Sequence, residues 1–140
     1  MNSRETLYTP RGFMIVGGTV LLLLGILGFL GVFKLSAFYL TTGESFAHVT
    51  LGLVALVAVF VPGLNTALEP YYRGFVILVG VVALFFGLYG FIIGPGNPPT
   101  VLNTFGLANL EIVDNLINLV VAAWAFLAAF WAPQRGMLRG

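Results

Sequence analysis

The chain has 140 residues, 59% of them hydrophobic and only 8% charged, and its mean hydropathy is +1.04. Soluble domains carry about 25% charged residues, and a soluble chain this short has no core large enough to hide so much apolar surface. A net charge of +1 gives no basic footprint for nucleic acid, and the lack of cysteine excludes disulfides, thiolate metal sites and redox dithiols.

Arg4 and Arg11 precede an uncharged apolar stretch over residues 12–33. At 22 residues it exceeds the roughly 7–15 of a signal-peptide core, and no small-x-small cleavage site follows. It reads as a retained first span. A second stretch covers about residues 43–62, opening behind Thr41-x-x-Glu44, a capping-box pattern, and closing at Pro62-Gly63. The third covers residues 73–94, with Glu69 expected to pair with Arg73 at its entrance. The fourth covers residues 110–132, with Asn109 as its expected cap and Ala132-Pro133 as its expected stop. A bilayer core of about 30 Å needs roughly 20 helical residues. The expectation is therefore an all-α membrane protein, one domain over residues 1–140 with four transmembrane helices arranged as two tandem hairpins.

Arg4, Arg11, Arg73, Arg135 and Arg139 fall on the N-terminus, the middle connection and the C-terminus, which four spans place on one side. Lys34 stands alone on the other, so both termini are expected in the cytoplasm. Tyr8, Tyr71, Tyr72 and Trp131 lie beside the arginines as an interfacial belt would.

Arg11-Gly12-Phe13 returns as Arg73-Gly74-Phe75, 62 residues later, and the same offset pairs Gly18 with Gly80, Gly25 with Gly87 and Gly28 with Gly90. At an offset of 70, Glu44-x3-His48-x3-Gly52 lies over Asp114-x3-Asn118-x3-Ala122. This pattern suggests an internal repeat of one hairpin. Helices in lipid associate by close approach over small residues. Gly18, Gly25, Gly80 and Gly87, with Ala125 and Ala129 on the fourth span, are accordingly the expected packing positions.

The odd spans have no ionisable group inside them, and the even spans carry theirs at the Lys34 side. Past His48 the second span has 13 residues, about 20 Å of helix, so Glu44 and His48 are drawn toward the membrane. The fourth span draws in Glu111, Asp114, Asn115 and Asn118, whose spacing places them on one helical face. Two readings stand side by side. These residues cap helices and bond between them, or they form a shared outer-leaflet pocket for an ion or proton. His48 has three readings: a structural hydrogen bond, a titrating member of that pocket, or the single axial ligand of a haem or chlorophyll. One histidine also argues against a Ser-His-Asp triad or a multi-histidine metal site, and no Gly-rich phosphate loop or nucleophile elbow occurs, so no enzyme is expected.

The run from Phe105-Gly106-Leu107 through Asp114-Asn115-Leu116-Ile117-Asn118-Leu119 to Trp124 resembles the closing segment of an uncharacterised bacterial family of four-helix membrane proteins, a domain of unknown function. Its members carry His-Asn-Leu-x-His-Leu there, and Phe46-Ala47-His48-Val49-Thr50-Leu51-Gly52 resembles their earlier His-x3-Gly segment. Asp114 and Asn118 stand where that pattern has histidines, so no paired-histidine site carries over. The resemblance implies a bacterial inner-membrane protein and brings no activity with it. With loops this short, the expected role is an accessory or scaffold subunit meeting membrane lipid and other membrane-protein subunits, the ion, proton or pigment reading being the alternative.

Overall fold

A computed structural model describes residues 7–32, 40–93 and 112–137. It is all-helical there, with helices α1 (Pro10–Phe29), α2 (Thr42–Phe60), a short α3 (Leu64–Leu68), a 3-10 turn (Glu69–Tyr71), α4 (Tyr72–Ile93) and α5 (Ile112–Met137). Four helical segments are long and apolar enough to cross a membrane, the build of an integral membrane protein.

Helix ends follow local chemistry more closely than hydropathy. Helix α1 starts at Pro10, where a fixed φ suits the first helical position. The Thr9 side chain accepts from the Gly12 N–H at 3.0 Å, so the helix begins two residues before the apolar onset at 12. It ends at Phe29, not at 33. Gly31 takes φ 72°, and the N–H groups of Val32 and Gly31 return to the Leu27 and Gly28 carbonyls at 3.2 and 3.1 Å. That bonding closes a helix on a left-handed glycine whatever the polarity of the residues beyond it.

Helix α2 opens with the capping box its sequence suggests. Glu44 N–H donates to Thr41 Oγ1 at 3.2 Å, and Thr41 N–H donates to Glu44 Oε2 at 2.8 Å. At its other end Pro62 forces Val61 out of the helical region and offers no N–H to the Ala58 carbonyl. The buried Tyr72 hydroxyl supplies the missing donor, reaching Ala58 O at 2.7 Å. The connection between, expected as plain loop, is helical: Gly63 turns the chain at φ 82° into α3 and the 3-10 turn.

Helix α5 does not stop at Ala132-Pro133 but continues to Met137. Proline removes one backward hydrogen bond while its φ stays helical, so the chain can carry the helix onward. Thr19, exposed in mid-α1, donates its hydroxyl to the Ile15 carbonyl at 2.7 Å, which satisfies it without water.

The long helices pack in two close pairs. Along the first, residue number rises on α1 as it falls on α2: Gly18 lies against Ala55, Gly25 against Val49 and Ser45, and Gly28 against Ser45 and Leu40. Along the second, Gly80 lies against Ala125 and Phe126, Gly87 against Leu119, and Gly90 against Asn115. The pairs join at the end that carries Arg11 and Arg73, where Phe13, Met14, Val59, Tyr72, Val76 and Ala129 share one buried cluster. Trp124 fastens the first and last helices. Its ring sits 4.4 Å from that of Phe13, and its indole N–H donates to the Leu7 carbonyl at 2.8 Å.

Candidate functional site

The polar layer is built from the first two turns of α2 and α5. Glu44 is buried, and its carboxylate is held by the Thr41 N–H in the cap, where the helix dipole favours a negative charge. His48, half-buried one turn on, places Nδ1 2.6 Å from the Glu44 carbonyl oxygen. A carbonyl only accepts, so Nδ1 carries the proton of this bond, and Nε2 of the neutral ring is left as the acceptor.

Asp114 is buried in the first turn of α5, Asn115 is fully buried beside it, and Asn118 is half-buried a turn further. Glu111 lies outside the described residues. The Asn115 amide rests on the Gly90 backbone of α4, so closely that a side chain at 90 would overlap it. Ser45, fully buried, occupies the matching place on α2: its hydroxyl lies on Gly28 of α1 and has no hydrogen-bond partner among the described residues. The two completely buried polar side chains therefore turn into separate helix seams, each toward a glycine of the helix beside it.

Gly18, Gly25, Gly80 and Gly87 are all buried in these seams, and Ala125 and Ala129 are fully buried. Sequence reasoning did not single out Ser45, and it gave Gly28 and Gly90 no role. The signal was available, because the offset of 70 sets Ser45 over Asn115 and the offset of 62 sets Gly28 over Gly90. Trp124 was noted only for the resemblance, since its reach to Leu7 depends on helix rotation that spacing leaves open.

Elsewhere among the described residues the buried side chains are apolar apart from the Tyr72 hydroxyl. A groove of about 260 Å³ runs between α2 and α3, lined by Leu53, Val54, Val57, Ala58, Leu64 and Leu68. At the arginine end, Glu69 and Arg73 form no ion pair; the Arg73 guanidinium lies 5.2 Å over the Phe130 ring instead. Among the described residues no three of His, Cys, Asp or Glu converge where they could hold a metal ion. Chemically, the layer caps α2, orients the His48 ring and closes two seams. No protein-family model, no curated protein and no solved structure matches the chain.

Proposed function

We propose that this chain is an accessory or scaffold subunit of a bacterial inner membrane, packing against other membrane helices in a larger complex. One observation carries the reading: the polar and small-residue faces are used up inside the chain. Glu44 and His48 are engaged within α2, and Ser45, Asn115 and the seam glycines within the two helix pairs. What the spans present outward is apolar and aromatic, including the stacked Phe85 and Tyr89 of α4, and only 28–33% of each span's most apolar window is buried. Such surface meets lipid or another helix.

The topology we infer is two tandem hairpins with both termini cytoplasmic, the second repeating the first. Two things support the repeat. The contact of Gly18 with Ala55 returns as Gly80 with Ala125, and that of Gly28 with Ser45 returns as Gly90 with Asn115, both at the offsets of 62 and 70. Orientation rests on the arginine distribution. The test is gentle solubilisation from native membranes, with size and mass spectrometry of the same peak. Co-purification with a stable larger assembly is the expected result; a chain that always runs alone sinks the scaffold reading.

The second reading, a binding protein for an ion, a proton, or a haem or chlorophyll, is favoured by one feature. His48 has its Nδ1–H bonded to a backbone carbonyl, the arrangement that orients ligating histidines and presents Nε2. A pigment role requires visible absorbance that vanishes in His48→Leu, and a colourless wild type isolated with its partners removes it.

A further inference from the structure

We propose that the arginine-bearing end of the bundle is a binding surface for the headgroups of anionic phospholipids, centred on Arg73 and supported by Arg11. The inference rests on the membrane placement of the chain and not on its accessory role. The buried cluster joins the starts of α1 and α4, so Arg11 and Arg73 stand at the same end of the molecule. Both are exposed, and among the described residues neither forms an ion pair, although Glu69 is one helical turn from Arg73.

Arg73 is nonetheless held in place by Phe130, 5.2 Å beneath its guanidinium. A cation–π contact draws on the positive charge and leaves the five N–H donors for an acceptor gripped at two oxygens, and a phosphodiester headgroup presents such a pair at the membrane surface. The neighbouring backbone is open to receive it. Gly74 has no atom within 4 Å of where a side chain would begin, whereas Gly12, its counterpart in the Arg-Gly-Phe motif, is buried. Tyr8 and Tyr71 beside the arginines are 40% and 70% exposed, as aromatic side chains at headgroup level are.

The charge balance agrees with a phosphate-bearing partner of net negative charge. Among the described side chains this end carries Arg11 and Arg73 against Glu69, an excess of one positive charge. The opposite end carries Glu44 and Asp114 and no lysine or arginine among the described residues. Arginine placement for topology alone needs no fixed geometry. An anchored guanidinium beside an open glycine goes further than that and points to a headgroup.

The test uses the full chain, delipidated in an uncharged detergent and titrated with phosphatidylglycerol or phosphatidylcholine, bound lipid being counted by native mass spectrometry. Wild type is expected to prefer phosphatidylglycerol. Arg73→Gln should lower that preference roughly five-fold, the equivalent of about 1 kcal/mol per arginine near an anionic surface. Arg11→Gln with Arg73→Gln should lower it further, Arg73→Lys should keep part of it, and added salt should weaken it in wild type. Equal binding of the two lipids by wild type, or an undiminished preference in the double variant, overturns the proposal. So does full competition by inorganic phosphate, which would make this an anion site indifferent to lipid. Should Arg73→Gln misfold, Phe130→Leu keeps the charge but frees the guanidinium, and a preference unchanged in that variant counts against the anchored geometry. Failure of wild type to float with vesicles of either lipid would instead sink the membrane reading itself.

Discussion

Gly25→Ala probes what holds the helix pairs together. A methyl group built at Gly25 lies 2.6 Å from Val49 Cγ2 and 2.7 Å from both Ser45 O and Val49 N. Two of those atoms are backbone, so no rotamer change relieves the contact. Ordinary contact begins near 3.4 Å, and α1 and α2 must therefore part by about 0.7 Å at this level. Overpacking of this kind costs about 1–3 kcal/mol, and a gap of that size forfeits roughly a quarter to a half of the dispersion along the seam it opens. Alanine's better helix propensity returns about 1 kcal/mol. The expected net loss is about 0–2 kcal/mol, or about 1–3 kcal/mol relative to a glycine whose substitution only gains propensity. Gly17→Ala is the internal control: its methyl would find nothing nearer than 3.8 Å, on Phe13 and Trp124, so the propensity gain stands alone. Unfolding of both variants in mild micelles by increasing denaturing detergent, followed by helical circular dichroism, gives the comparison. Gly25→Ala as stable as Gly17→Ala would refute the claim that close backbone approach carries this seam.

Three further substitutions test single bonds by the same measurement. Tyr72→Phe leaves the Ala58 carbonyl without its donor next to Pro62 and should cost about 1–3 kcal/mol, the usual penalty for an orphaned buried polar group; no loss would show that another donor takes over. Thr41→Ala removes one half of the capping box and should cost about 1 kcal/mol, with earlier fraying of α2 visible by amide exchange at residues 42–45. Trp124→Phe keeps a ring against Phe13 but loses the bond to the Leu7 carbonyl, with an expected cost of about 0.5–1.5 kcal/mol and faster exchange at the start of α1.

The four spans were legible because hydrocarbon imposes a length on any apolar helix, and four stretches of this chain meet it. Their ends were less so. Hydropathy carries on past Phe29 into Gly31-Val32-Phe33, while the backbone stops because a glycine at φ 72° closes the helix. It reads Pro133 as a wall, while a proline removes one hydrogen bond and lets the helix continue to Met137. The α3 helix is five residues long, too short for any hydrophobic period to show. Contacts that depend on helix rotation, such as Arg73 over Phe130, had no sequence signal at all, and an i,i+4 acid offered a plausible but unused partner. Of the candidate layer, the cap at Glu44 was readable from Thr41-x-x-Glu44. The direction in which Ser45 and Asn115 point was not, because one helix face can serve a neighbour on either side.

That direction changes what the buried polar residues are for. Apolar helices in lipid gain little hydrophobic drive from meeting, so their register rests on which side chains fit against which. Each seam here ends on a polar side chain seated over a glycine, Ser45 on Gly28 and Asn115 on Gly90. A slip of four residues would bring Leu24 over Ser45 or Phe86 over Asn115, where only a hydrogen atom fits now. The clash and the burial of a polar group against a large apolar side chain would both oppose the slipped register. A single buried polar residue fixes register in coiled coils by the same logic, at some expense of stability. Ser45 and Asn115 would in this way oppose such a slip at the end of the bundle away from its shared core. His48 stands one turn beyond Ser45 on the same helix, so a bound ligand, if His48 has one, would inherit its position from the contact of Ser45 with Gly28.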